Sequence, residues 1–433
     1  MTVRVTGCAA RVFIVVVLSA TGVGCAGFRV LVSRRISLTL MTAVLNASTA
    51  ADVALSRAGR LISLDVMRGF VMVLMAIDHV RVYSGLPAGG PTPGIFFTRW
   101  ITHFCAPAFV FFAGTAAFLH GRKLDDKRAL AHYLVTRGCI LVIFELTVIR
   151  FSWTFNFGYA NFVLAGVIWM LGWCMILLAA LIWLPTWAIG SVGLAIIFFQ
   201  QVFHILPRLL PESVRNSVGW IWEFIYPAGL QEPPGISVLY VLVPWVGVMA
   251  VGYAFGAIML RESAERRRLC LRIGLSATAL FLLAGGLALF LIPTPVDAPP
   301  VLYRLLNQQK YPASQLFLLM TLGPTIALLP LAERARGWVG EVLSTFGRVP
   351  LFYYLLHIPL IHVTALVVTL LREGSVHSEW YAQAPFGSVP VAHRWGLPLL
   401  YLVFVVDVVV LYFLCRWFAG VKARHPDGWL RYL

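Results

Sequence analysis

The amino-acid sequence predicts an all-α, polytopic membrane protein with about ten transmembrane helices, preceded by an N-terminal hydrophobic segment. Three observations predict this class. Of 433 residues, 60% are hydrophobic and only 12% charged, whereas soluble domains carry about 25% charged residues; mean hydropathy is +0.85. Apolar runs of about 20 residues, enough to cross a bilayer as helices, recur along the chain. The basic residues sit in the connections between those runs and are denser in alternate connections. The net charge of +16 therefore reads as topology and contact with anionic lipid. No nucleic-acid partner is expected, because no basic patch is interleaved with aromatic residues. Seven cysteines (Cys8, Cys25, Cys105, Cys139, Cys174, Cys270 and Cys415) are scattered with no C-x-x-C pair. Neither a disulfide framework nor a zinc site is indicated, and no metal is expected.

Residues 1–56 form an N-terminal extension. Its stretch "RVFIVVVLSATGVGCAG" has the apolar core and small residues of a signal-like segment, with Cys25 at a lipobox-like place. The other reading is a misassigned start, with translation beginning at Met41. The body, 57–433, holds the ten expected spans. The first, 64–83, opens after Arg57 and Arg60. The second, 101–120, is followed by Arg122, Lys123, Lys127 and Arg128. Runs at 133–151, 160–184, 187–206 and 236–258 come next, the last followed by Arg261 and the run Arg266-Arg267-Arg268. Then come 273–292, 315–332 with Arg334 and Arg336 behind it, 349–371, and 397–417 with Lys422, Arg424 and Arg431. The opposite connections hold only Arg99, Arg208, Arg215, Arg304, Lys310, Arg372 and Arg394. By the positive-inside rule both ends of the body, the C-terminus included, are cytoplasmic, and 207–235, 293–314 and 372–396 face outward.

The first span is the unusual one. "RLISLDVMRGFVMVLMAIDHVRVY" places Asp65, Arg68, Asp78 and His79 in a segment meant for lipid. At about 100° per residue, Asp65, Arg68, Met72, Met75, His79 and Tyr83 fall within roughly an 80° arc, and Asp78 lies about 100° off it. Arg68 and His79 are about 16 Å apart along the axis, one toward the cytoplasmic end and one toward the outer end. One face thus offers a cation inside, a flexible apolar middle and a titratable imidazole outside. Intramembrane ionisable groups generally face a cavity and work there. The structural alternative is that Asp65 and Arg68 pair at i, i+3 and cap the helix end, or that Arg68 snorkels to the interface.

The second span begins near Trp100 and His103, and its face of His103, Pro107, Val110, Gly114 and Ala117 is small enough for a helix to approach closely. His103 and His79 are expected at one depth, where two imidazoles can share a proton. The ninth span adds His357 and His362 around Pro359, with Tyr353 and His357 on one face. His357 joins the catalytic candidates, with hydrogen bonding to a neighbouring helix as the structural alternative; His362 is expected at the interface. Lys310 stands just outside the eighth span, where a lysine alone reads as an anchor.

Four stretches carry a resemblance. "RLISLDVMRGFVMVLMAIDH", Trp100 spaced six residues before "PAFVFFAGT", "KYPASQLFLLMTLGP" and "FGRVPLFYYLLHIPLIH" occur in order. Together they resemble the bacterial relatives of heparan-alpha-glucosaminide N-acetyltransferase, from about residue 57 to the C-terminus. The resemblance implies an integral inner-membrane acyltransferase domain at 57–433. It implies transfer of an acetyl group from cytoplasmic acetyl-CoA to an amine or hydroxyl at the outer side, on a sugar or cell-envelope glycan. Heparan sulfate itself is not the expected acceptor. On this reading Arg60, Asp65, Arg68, Met72 and Met75 serve the donor, with phosphates near Arg68 and the thioester near His79. His79, His103, Asp78 and His357 are the catalytic candidates, and Lys310, Tyr83 and Trp100 lie on the acceptor side.

The chain also departs from the family. The lysosomal branch has a loop histidine after its first helix, but here the loop "VRVYSGLPAGGPTPGIFFTRW" has none. Either His79 or His103 takes that task, directly or through an acetyl-histidine, or this branch performs another reaction. The competing function is a proton-coupled transporter or exporter of a small anion or lipid-linked sugar, its ionisable stripe a proton relay. No repeat relates the two halves of the chain, which weighs against it. Oligomerisation is left open.

Overall fold

The computed structural model describes residues 62–424, apart from 90–91, 161, 231–232, 234 and 295–296. Arg60, the N-terminal extension 1–56 and Arg431 lie outside the described residues.

Helix α1 (Ile62–Ser84) carries the ionisable stripe. Helix α2 (Pro93–Trp100) starts where the Thr92 hydroxyl accepts from the Ile95 amide, with Pro93 in the first turn. It runs through a tight turn at Ile101–Phe104 into α3 (Cys105–Leu124). Asp126 caps α4 (Lys127–Phe144), which passes through a π-helical turn at Glu145–Ile149 into the short α5 (Arg150–Thr154). Then come α6 (Val167–Leu181), α7 (Thr186–Phe198), α8 (Val202–Ile205), α9 (Glu212–Ile225) and α10 (Trp245–Met259). The chain continues with α11 (Ser263–Leu291), α12 (Val301–Leu306), α13 (Gln315–Ala332), α14 (Gly337–Arg348), α15 (Pro350–Glu373) and α16 (Leu397–Arg424). One small parallel pair of strands, β1 (Val163–Ala165) and β2 (Ile236–Val238), is the exception to an all-α fold.

Among the described residues, five helical stretches are long and apolar enough to cross a membrane: α2 with α3, α11, α13, α15 and α16. A sixth arises if α7 and its continuation to Leu209 count as one span bent by 59°. Helices α6 and α10 are apolar but shorter. Of the ten expected spans, five or six meet this measure of length and hydropathy among the described residues. Three expected boundaries also change. Runs 160–184 and 236–258 each open as a strand, so their helices begin later, at Val167 and Trp245. Run 187–206 breaks around Phe199, where the Gln315 side chain donates to the carbonyls of Ile197 and Phe198 at the end of α7. Satisfying freed carbonyls in this way is what permits a broken helix inside an apolar bundle.

Helix α1 is the hub. It touches α3, α13, α14, α15 and α16, and apart from Ile62 and Phe70 none of its side chains is exposed. Its closest partner is α14, because glycines remove the side chains between them. A Cβ on Gly69 would meet the Leu343 carbonyl, and one on Gly347 would meet the Asp65 carbonyl. The small-residue face of α3 works similarly, with Gly114 set against the backbone at Met249 in α10. The charged stripe is therefore held inside protein, where each polar group needs a partner.

Candidate active site

The His79 imidazole meets His357, not His103. Nδ1 of His79 lies 2.6 Å from Nε2 of His357, and the two rings are nearly parallel at 4.8 Å between centroids. Their neighbours fix the protons. Nδ1 of His357 faces only carbonyl oxygens, those of Tyr354 at 2.7 Å and Tyr353 at 3.2 Å, so it carries the hydrogen. Nε2 of His357 is then an acceptor, and Nδ1 of His79 donates to it. Nε2 of His79 is left with a lone pair. The Trp153 ring meets His79 edge-on at 4.9 Å and limits its rotation. His357 is fully buried, whereas His79 keeps partial exposure.

Burial along the stripe is uneven. Asp65, Met72, Met75 and Tyr83 are buried; Arg68 and His79 are only half-buried. Those two are the stripe residues that keep accessible surface. The Arg68 guanidinium donates to the Phe112 carbonyl in α3 at 2.8 Å. Met72 lends its carbonyl to the Tyr353 hydroxyl at 3.0 Å, which ties α1 to α15 directly below the histidine pair. Tyr83 spends its hydroxyl on the Trp153 carbonyl at 2.8 Å and packs against His362 and Tyr381.

Asp78 points away from the imidazole pair. Its carboxylate receives Arg81 at 3.1 Å and faces Arg99 at 3.8 Å. His103 donates from Nδ1 to the Trp100 carbonyl at 3.0 Å and sets its ring edge-on to Phe317. Among the described residues no hydrogen bond or ring contact joins it to His79. The Trp100 indole N–H is buried without an acceptor among the described residues. Lys310 is 7% exposed, its ammonium 5.2 Å from the Tyr311 ring centroid and 5.8 Å from that of Tyr240. His362, expected at the membrane interface, is buried within the protein, stacked on Phe155, with Nδ1 donating to the Ser152 carbonyl at 3.1 Å. Carbonyls released at the end of α5 draw it inward. Among the described residues, no three His, Cys, Asp or Glu side chains converge as a metal site would require.

The family profile described as heparan-alpha-glucosaminide N-acetyltransferase, catalytic, matches residues 60–295, more than half of the chain. The chain belongs to this N-acetyltransferase family. No curated protein matches it significantly. Family membership makes it a membrane-embedded transferase of the acyltransferase kind and favours that class over a transporter. The N-acetyltransferase match covers α1 to α11, so His79, Asp78, Arg81, Arg99 and His103 fall inside it. Lys310 and His357 fall beyond it, yet both come back to the same neighbourhood as His79.

Arg81, Arg99, Trp153 and Tyr240 were not among the site residues expected from sequence. Arg81 had a visible signal, since it stands three residues after Asp78. Arg99 reads as an ordinary loop cation until the fold returns it to α1. Trp153 had none, because its contact with His79 depends on the helix breaking after the π-helical turn.

Proposed function

We propose that the protein transfers an acetyl group from acetyl-CoA to an amine or hydroxyl of a sugar or cell-envelope glycan, with His79 as general base. The observation that carries this reading is the proton order of the His79–His357 pair, which leaves Nε2 of His79 a lone pair at a half-buried position. In the transfer, the acceptor nitrogen or oxygen forms a bond to the thioester carbonyl carbon and gives its proton to Nε2 of His79. The carbon–sulfur bond then breaks, and the coenzyme A thiolate leaves and takes up the proton that Nε2 of His79 accepted, which restores the base. His357 is the positioning residue: by accepting from Nδ1 it holds the His79 ring and its tautomer. Holding the two substrates within about 3–3.5 Å supplies a further large part of the acceleration.

Arg68, half-buried and toward the other end of α1, suits the donor phosphates by charge and geometry. The proposed setting is a bacterial inner membrane with ten crossings, where α4–α5, α6, α10 and α1 span despite their charge or short length. The C-terminus is cytoplasmic, and the His79 end of α1 faces outward, as the distribution of basic residues directs.

The test is acyl transfer from radiolabelled acetyl-CoA by the purified full-length protein. His79→Ala is expected to lower kcat by about 10²–10⁴-fold, the usual contribution of a positioned base, with little change in donor binding. Full activity in His79→Ala, with loss in His103→Ala, would move the role to His103. Full activity in both would remove general-base catalysis by either histidine.

A further inference from the structure

Three cations, Arg81, Arg99 and Lys310, converge beside the histidine pair, and among the described residues one carboxylate, that of Asp78, faces them. Arg81 and Arg99 share Asp78. Arg81 also donates to the Leu86 carbonyl, and Arg99 to the Thr102 hydroxyl at 3.2 Å. Lys310 has neither a hydrogen bond nor an ion pair among the described residues, although it is 7% exposed. Its ammonium faces the rings of Tyr240 and Tyr311, which meet edge to face at 5.2 Å. The loop that carries it is braced, with Lys310 bridged to Ala313 and the Ser314 amide bonded to the Gln309 carbonyl at 3.0 Å. Lys310 is thus held in place with no direct ion pair among the described residues, sharing the single Asp78 charge at longer range with Arg81 and Arg99. A lysine serving as an interface anchor would put its head in water; this one does the reverse.

The excess positive field is felt by its neighbours. Burial pushes the Tyr311 phenol up, but the charges of Lys310 and Arg99 together with a hydrogen bond from Tyr240 hold it below its ordinary value. His79 and His103 both lie within reach of the same Lys310 and Arg99 charges. A buried cation without a direct partner is costly, and the usual resolution is an anion brought by a ligand. Guanidinium and ammonium groups with unspent N–H donors recognise oxyanions.

We propose that Arg81, Arg99 and Lys310 form a subsite for an oxyanion on the acceptor (a carboxylate, sulfate or phosphate) one step from the amine or hydroxyl that His79 deprotonates. This rests on the acyl-transfer reading above and adds the acceptor's chemical class: an anionic sugar or glycan unit rather than a neutral one. The anion anchors the acceptor while Asp78 keeps the two arginines apart and oriented. Donor phosphates lie elsewhere on this reading, at the Arg68 end of α1.

The experiment uses full-length protein in phosphatidylcholine nanodiscs, with glucosamine and glucosamine 6-phosphate as paired acceptors. The expected result is a KM for the phosphorylated sugar lower by about 10- to 100-fold, the range of a hydrogen bond to a charged group. Lys310→Gln should collapse that ratio toward one, and Lys310→Arg should keep most of it. Equal KM values in the wild type, or a ratio unchanged in Lys310→Gln, would overturn the subsite. A second readout needs no turnover. Glucosamine 6-phosphate should raise the thermal midpoint of the wild type and not that of Lys310→Gln, whereas glucosamine should move neither. If neither sugar is acetylated but the midpoint still shifts, the transferase reading fails and the anion subsite stands. If the wild-type midpoint does not shift, the subsite fails whatever the activity. Repeating the measurement with phosphatidylglycerol in the disc separates the sources. Should that lipid alone give the Lys310-dependent shift and abolish the effect of the sugar phosphate, the occupant is a lipid headgroup and the acceptor assignment is overturned.

Discussion

At the scale of single residues, the decisive feature is that His357 has no choice of tautomer. Two carbonyl oxygens face its Nδ1, and the ring is fully buried. His357 therefore serves His79 as an acceptor, taking the Nδ1–H bond at its Nε2. His357→Leu should lower kcat by about 100-fold, the lower end of a general-base contribution, because the His79 ring loses its orienting bond. His357→Gln should recover much of that loss, since an amide oxygen can accept from Nδ1 of His79. A purely structural role for His357 predicts the reverse pattern, with both variants lowering the thermal midpoint and neither separating kcat from KM. The histidines themselves were legible in the sequence, but their pairing was not. Residues 79 and 357 are joined only by the fold, whereas His79 and His103 are near in sequence and share an expected depth, which made them the more natural pair on paper.

At the scale of elements, α6 shows how a helix shorter than a span is kept inside the bundle. Its N-terminal amides at Ile168 and Trp169 donate to the Glu145 carboxylate at 3.0 and 3.3 Å, and Glu145 projects from the π-helical turn that ends α4. Gly166 gives the carboxylate room, since a Cβ there would strike Oε1 of Glu145. Glu145→Ala should leave two buried donors unanswered and destabilise the protein by about 1–3 kcal/mol. Glu145→Gln keeps an acceptor oxygen and should lie close to the wild type. Thermal unfolding of the detergent-solubilised protein reads both, and equal loss in the two variants would mean that charge rather than capping matters. Hydropathy gave the run that contains α6 but placed its start seven residues early, because Phe162 to Ala165 are as apolar as the helix they precede. The strand pairing with Ile236–Val238 decides their conformation, and pairing over such a sequence distance leaves no periodic trace. Helices α13 and α15 followed the expected bounds closely because a serine cap and a proline start mark them locally, whereas α16 began as expected at Leu397 but ran past residue 417 to Arg424, through a basic end that hydropathy does not count as span.

At the scale of the whole molecule, the proposed topology makes the reaction vectorial. In right-side-out vesicles loaded with acetyl-CoA, an impermeant amine supplied outside should become acetylated; product that forms only when donor and acceptor share one side would exclude transfer across the bilayer. The hub position of α1 has a consequence for how the protein is made. A segment bearing Asp65, Arg68, Asp78 and Arg81 is penalised in lipid by about 2.5–3.5 kcal/mol for each charge near the middle. Four of the helices that enclose it, α13 to α16, are synthesised last. The earliest segment of the body therefore has to wait, sheltered by the insertion machinery or by α3 alone, until the end of the chain arrives to surround it. Shortening the gene from its 3′ end should expose that dependence as rapid degradation of the entire product, well before any residue near His79 is touched.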